Sequence, residues 1–158
     1  MTKEAFIEQI LALRSTLYYL SYSLLPNHAD QEDAVQACLE KALRKRTTLR
    51  EDAYLKTWLI RILINECHNV LRRKRREVPT EEIIAVAPPD ADMGLFEAVS
   101  QLDPKLRIVL VLHCFEGYTT REVALMLRTP ESTVKSRLKR ARTLLGQQIT
   151  QQNEEVWA

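Results

Sequence analysis

The chain has 158 residues, room for one ordinary domain or two small ones, and 46% of them are hydrophobic, as in a globular protein. Three glycines, six prolines and abundant Leu, Arg, Glu and Ala favour helices, and no alternating β-branched run is long enough to make a strand. The net charge of +2 hides a segregation: residues 1–77 carry 14 basic and 10 acidic side chains, residues 78–103 six acids and no base, and residues 104–158 9 basic and 5 acidic. Two basic blocks around an acidic connector suit two nucleic-acid-facing units and a tether, although charge scattered over solvated helix faces gives the same totals.

Cys38, Cys67 and Cys114 are an odd number with no C-x-x-C pair, which fits the reduced thiols of a cytoplasmic protein. The doublets Cys67–His68 and His113–Cys114 each offer one ligand per helix face, because neighbours on a helix diverge by about 100°. Neither a metal nor a cofactor is expected. The first residues open directly into an amphipathic pattern without the marks of a signal peptide, and no apolar run is long enough to insert into a membrane.

In chain order, residues 4–25 carry Phe6, Ile7, Ile10, Leu11, Leu13, Leu17, Tyr18, Leu20 and Leu24, a helix with a broad apolar face stopped by Pro26-Asn27. Asp30 is placed to cap the next helix, which runs to about Arg46, buries Ala34, Val35, Cys38, Leu39 and Ala42, and ends on Lys41, Arg44, Lys45 and Arg46. A polar loop over 47–52 leads to a third helix at about 53–75. Trp58, Ile62, Leu63, Val70 and Leu71 are expected on its inner face, and Arg72-Arg73-Lys74-Arg75-Arg76 at its end. Three such helices make a small bundle over 1–77.

Residues 78–94, with Pro79, Pro88, Pro89 and four acids, read as a flexible linker. A second helical domain is expected over 95–150, followed by a tail at 151–158. It opens with a short helix using Leu95, Phe96, Val99 and Leu102. Asp103 caps and Pro104 starts the next helix, at about 104–116, which Gly117 ends with a left-handed residue. Thr119-x-x-Glu122 is a capping box with Tyr118 and Val123 at the staple positions; the helix it starts ends near Arg128. Thr129 is placed to cap, and Pro130 to start, a last helix of about sixteen residues. The final pair forms a helix-turn-helix.

Three constellations carry chemistry. In the last helix Val134, Leu138, Ala141 and Leu145 form an apolar stripe, and Ser132, Ser136, Lys139, Arg140 and Thr143 point away from it, flanked by Lys135, Arg137 and Arg142. Short hydroxyls and cations bond phosphates and base edges in a major groove, and Glu131 could accept from cytosine. In the second, Thr47, Thr48, Arg50, Tyr54 and Trp58 precede Arg61, Asn65 and the basic tail; rings beside cations are the ingredients of a single-strand site, while Trp58 could equally be core. In the third, Asp30, Glu32, Asp33 and Gln36 lie along one helix and suit a partner-binding face or a plain capping role. No H-E-x-x-H, P-loop or Gly-rich turn supports an enzyme. The alternative to a protein with both a single-strand and a duplex surface is a conventional duplex-binding regulator that uses only the helix-turn-helix.

Asp30-Gln31-Glu32-Asp33-Ala34-Val35-Gln36 resembles the core-binding segment of bacterial sigma factors. Leu55-Lys56-Thr57-Trp58-Leu59-Ile60-Arg61-Ile62-x-x-Asn65, continuing to Leu71-Arg72-Arg73, is similar to their promoter-melting and −10-reading segment. Leu102-Asp103-Pro104-Lys105-Leu106-Arg107, Glu116-Gly117-Tyr118-Thr119-x-x-Glu122-Val123-Ala124 and Thr133-Val134-Lys135-Ser136-Arg137-Leu138-x-Arg140-Ala141-Arg142 resemble the −35-reading domain. Together they are similar to the extracytoplasmic-function (ECF) subfamily of the sigma-70 family, over nearly the whole chain.

The resemblance implies an all-α, two-domain, non-enzymatic, cytoplasmic protein without a small-molecule substrate. Asp30, Glu32, Asp33 and Gln36 would dock on the β′ clamp of core RNA polymerase. Arg50, Tyr54, Trp58, Arg61, Asn65, His68, Asn69, Arg72 and Arg73 would melt and capture the −10 element as single strand. Arg121, Glu131, Ser132, Thr133, Lys135, Ser136, Arg137, Lys139 and Arg140 would read the −35 element as duplex, with the same domain on the β flap. The acidic linker would thread the polymerase near the RNA exit path, and an anti-sigma factor would be a further partner. Leu55 stands where relatives often carry an aromatic, which moves stacking onto Tyr54.

Overall fold

The structure, a computed structural model, describes residues 1–76 and 93–157, with the side chains of 75, 76, 93–96, 149 and 151–157 left aside. Most of the linker expected over 78–94 falls outside the described residues. All regular structure among them is helical, and the chain divides into two compact units, Met1–Val86 and Ala87–Ala158.

The first unit opens with α1 (Lys3–Ala12), capped by Thr2, whose hydroxyl accepts the Ala5 N–H at 3.1 Å. The one helix expected over 4–25 is two: Leu13 separates α1 from α2 (Arg14–Leu24), its N–H shared between the Gln9 and Ile10 carbonyls at 3.2 Å each. This local tightening leaves the stripe of Phe6, Ile10, Leu17, Leu20 and Leu24 buried. Leu25 is extended (φ −121°, ψ 129°), as the residue before a proline prefers, and ends α2.

Asn27, not Asp30, caps α3 (His28–Arg44), accepting the Ala29 N–H on Oδ1 at 2.8 Å. It is the first residue after Pro26 able to cap, so the helix starts earlier than expected and Asp30 falls in its first turn. Gln31 is fully buried and donates from Nε2 to the Leu25 carbonyl at 2.7 Å, meeting a backbone acceptor at the proline break. The last residue of α3 is Arg44, two residues short of the expected end, with Lys45 as its C-cap.

Two 3₁₀ turns, Arg46–Thr48 and Asp52–Tyr54, lead into α4 (Leu55–Arg76). Its buried face is Leu55, Leu59, Ile60, Leu63, Ile64, Cys67 and Val70. Trp58, Ile62 and Leu71, expected inside, are only half-buried. Packing of α4 against α3 fixes this rotation: the Cys38 thiol donates to the Leu59 carbonyl at 3.5 Å, and Lys41 of α3 pairs with the buried carboxylate of Glu66.

In the second unit α5 (Met93–Ser100) precedes α6 (Pro104–Leu110), capped by Asp103, which accepts the Lys105 N–H at 2.9 Å. The helix expected to reach residue 116 widens instead into a π turn, Val111–Phe115, with the Glu116 N–H on the Val111 carbonyl at 3.0 Å. Gly117 then takes φ +78°, which a side chain would strain. The capping box of Thr119 and Glu122 forms with both bonds at 3.1 Å and starts α7 (Thr120–Leu127), with Tyr118 and Val123 both buried.

Arg128 makes the turn in the left-handed region (φ 52°). Thr129 does not cap the last helix; its hydroxyl donates back to the Leu127 carbonyl at 3.1 Å. The Pro130 carbonyl accepts from Thr133 and Val134 at 3.0 and 3.1 Å, so α8 (Glu131–Trp157) starts one residue later than expected and continues through the residues expected as a tail. A proline at that junction forfeits no ladder bond, because its absent N–H has no partner there. Val134, Leu138 and Ala141 are buried, and the first two contribute about 2 kcal/mol each by burial.

Candidate nucleic-acid interface

The buried seam of α8 decides which of its side chains face out. Ser132, Lys135, Ser136, Lys139 and Arg140 are exposed, Thr133 and Arg137 are partly exposed on the flanks, and Arg121 is exposed on α7. Glu131 is partly buried and engaged: it accepts the Thr120 hydroxyl at 3.0 Å and lies 3.6 Å from the Lys135 ammonium. Its carboxylate therefore ties the start of α8 to the start of α7. Sequence reasoning missed Thr120, which lies inside the capping box next to Thr119 and has no periodic signal of its own.

On α4 the structure brings together what the sequence scatters over twenty residues. Trp58, Arg61, Asn65, His68 and Arg72 recur every three or four positions and so share a stripe, with Asn69 next to His68 and Tyr54 in the turn just before the helix. Tyr54 is 60% exposed, whereas Trp58 rests an edge on the buried ring of Phe6, with centroids 6.0 Å apart and planes at 68°. Trp58 is thus anchored and Tyr54 is open. Arg61, Asn65 and Arg73 are exposed, and Arg72 donates to Asn69 Oδ1 at 2.8 Å. Burial, reinforced by the Arg72 charge, holds the His68 imidazolium below its usual range.

The loop before α4, with exposed Arg50, is joined to the N-terminus: the α-amino group of Met1 lies 3.6 Å from Asp52. A pocket of about 330 Å³ opens between Lys3, Phe6, Arg46, Thr47 and Leu49.

The acidic face of α3 is less uniform than its sequence. Asp30 is partly buried and paired with Lys74, so the first acid of α3 is tied to the cation run that ends α4. Glu32 lies 3.3 Å from the His28 ring, and Gln36 donates to Glu40 at 3.3 Å. Asp33 is exposed. Burial pushes the Cys38 and Cys67 thiols up to about 12, so both stay protonated and inert near neutrality.

A helix-turn-helix with an outward cationic face in one unit, and a helix stripe of rings and cations in the other, define a two-domain nucleic-acid-binding protein. The chain matches the family models for Sigma-70 region 2 over residues 10–77 and for Sigma-70 region 4 over residues 93–145. It is 33% identical to the ECF RNA polymerase sigma factor SigM of Mycobacterium tuberculosis over 80% of this chain and 68% of that protein. It is 28% identical to the RNA polymerase sigma factor SigV of Bacillus subtilis over 96% and 95% of the two chains. Among solved structures, the complex of the sigma factor RpoE with the anti-sigma factor NepR from Bartonella quintana matches with TM-score 0.83 and 28% identity, over 93% of this chain and 98% of that one. The structure of CnrH in complex with the cytosolic domain of CnrY shares the fold, with TM-score 0.67 and 21% identity over 94% and 90%. The chain belongs to the ECF sigma factors of the sigma-70 family, proteins that direct transcription initiation.

Proposed function

We propose that this sigma factor binds core RNA polymerase through the acidic face of α3, melts and captures the −10 element along α4 and its preceding loop, and reads the −35 element as duplex with α7 and α8. The observation that carries this reading is the division of α8 between a buried seam and an open face of hydroxyls and cations, matched on α4 by one stripe of rings and cations. Opening a promoter exchanges stacked, paired bases for bases held on protein. Unstacking costs a few kcal/mol, and stacking on a ring returns about 1–3 kcal/mol per base. Tyr54 offers an open ring for that purpose, Trp58 a fixed edge, and Arg61, Arg72 and Arg73 the charge to follow the backbone. The pocket beside the 46–52 loop is roomy enough for a nucleobase.

Asp33 and Gln36 are the polymerase-facing groups best supported by their exposure, whereas Asp30 serves the internal pair with Lys74. The protein has no catalysis of its own, acts in the cytoplasm, and is held by an anti-sigma factor; the complex of the similar sigma factor RpoE with the anti-sigma factor NepR supports the last of these. No helix among the described residues is long and apolar enough to cross a membrane.

Run-off transcription with core polymerase and a fragment library tests the reading. Initiation at a discrete set of promoters that fails with core alone is expected. Tight binding to a palindromic duplex without polymerase, and no initiation, would overturn it in favour of a conventional regulator.

A further inference from the structure

The start of α6 and the middle of α8 enclose an open groove of about 350 Å³, lined by Asp103, Lys105, Leu106, Ser136, Arg137 and Arg140. We propose that Lys105, on a helix outside the helix-turn-helix, completes a phosphate-binding groove with Arg137, Arg140 and Ser136, and holds one backbone phosphate of the duplex that α8 enters. This rests on the −35 reading and adds to it a contact from a third helix.

The first support is which cations are committed elsewhere. Lys41, Lys74 and Lys135 are paired with Glu66, Asp30 and Glu131, and Arg142 donates to Cys114. Among the described residues no ion pair involves Lys105, Arg137 or Arg140, and the three converge on one groove from two helices. The second is the Ser136 hydroxyl on the same wall, a neutral donor beside three charged ones. Asp103, the one acid in the lining, caps α6 by accepting the Lys105 backbone N–H at 2.9 Å, and its single negative charge is outweighed by the three cations. The third is position: Ser136 and Arg140 also belong to the exposed face of α8, so the groove continues that face sideways, where the backbone flanking a major groove would run. A phosphate clasped there fixes how α8 is rotated in the groove and carries no sequence information of its own.

The test uses holoenzyme assembled from the full chain and promoter fragments carrying single uncharged methylphosphonates around the −35 element. Lys105→Ala is expected to weaken binding about five-fold on every −35 sequence and to lower the salt slope by about one, with Lys105→Arg restoring both. One methylphosphonate position should weaken wild type and have no further effect on the Ala variant. Unchanged affinity and slope, or a methylphosphonate pattern identical in the two proteins, would overturn the proposal. Lys105 is exposed, and an unchanged melting temperature excludes misfolding as the cause. If Lys139→Ala, on the exposed face of α8 outside the groove, also leaves −35 dependence intact, the −35 reading itself fails; if Lys139→Ala weakens it and Lys105→Ala leaves affinity and salt slope unchanged, only the Lys105 contact is lost.

Discussion

The faces of α4 and α8 are built from similar residues in opposite ways. On α4 many of the groups are tied down: Trp58 sits on Phe6, Arg72 on Asn69, and Lys74 on Asp30. Among the described residues, Lys135 is the one outward cation of α8 in an ion pair, and Lys139 and Arg140 are exposed. The strand-opening role proposed for α4 needs a ring that does not move when bases are pulled past it, which Trp58 on Phe6 would supply. The duplex-reading role proposed for α8 needs unpaired donors on a rigid rod, which a buried seam would supply and internal pairing would spoil. Rigidity therefore comes from side-chain anchoring in one unit and from backbone packing in the other.

The comparison breaks most severely if the anchor is removed. Phe6→Ala should cost about 3 kcal/mol in the first unit and abolish opening while −35 binding survives, as seen by denaturant melting and by duplex binding. Tyr54→Ala should leave stability within about 0.5 kcal/mol and cost about 2 kcal/mol in open-complex formation, near thirty-fold. Trp58→Ala should lose both stability and opening. Permanganate reactivity of the bubble separates these outcomes, and equal destabilisation by both variants would erase the distinction between open and anchored rings.

On α8, Arg140→Ala should cost about 1.5 kcal/mol in promoter binding and exceed Lys135→Ala, because Lys135 is already shared with Glu131. A larger loss at Lys135 in gel-shift titrations would contradict that ranking. Thr120→Val should cost about 1 kcal/mol of stability in the second unit by leaving the Glu131 carboxylate without its hydroxyl donor. The smallest effect concerns pH. His68 has a folded pKa below its usual 6.5, so as pH falls through that value the unfolded chain takes up the proton first and stability declines. His68→Asn should flatten that decline between pH 7 and 5, and an unchanged slope would locate it elsewhere.

Much of the fold was legible because its signals are local. The capping box at Thr119 and Glu122, Asp103-Pro104 and Gly117 each act within one turn of chain, and each is found where its chemistry puts it. Boundaries that depend on competition were less legible. Asn27 takes the cap expected of Asp30 because it comes first after Pro26, whereas Thr129 turns its hydroxyl back to the Leu127 carbonyl and leaves the junction to Pro130. The rotation of α4 is not legible locally, since its apolar residues cover more than half its circumference and packing against α3 and α2 selects Leu59 and Cys67 over Ile62 and Leu71. The stripe from Trp58 to Arg72 follows from helical spacing, but its anchoring on Phe6 spans about fifty residues and leaves no trace in the local pattern. The same holds for Thr120 with Glu131 and for Lys105 beside Arg137.

The division of labour between the two faces is tested most directly by crossing protein and promoter changes in one assay. Holoenzymes carrying wild-type chain, Tyr54→Ala or Lys139→Ala, the latter outside the phosphate groove on the exposed face of α8, would be measured for open-complex formation on promoters altered at −35 or at −10. Lys139→Ala should become less sensitive to −35 changes while staying sensitive to −10 changes, and Tyr54→Ala should show the reverse. Equal loss of sensitivity to both elements in either variant would contradict separate duplex-reading and strand-opening surfaces.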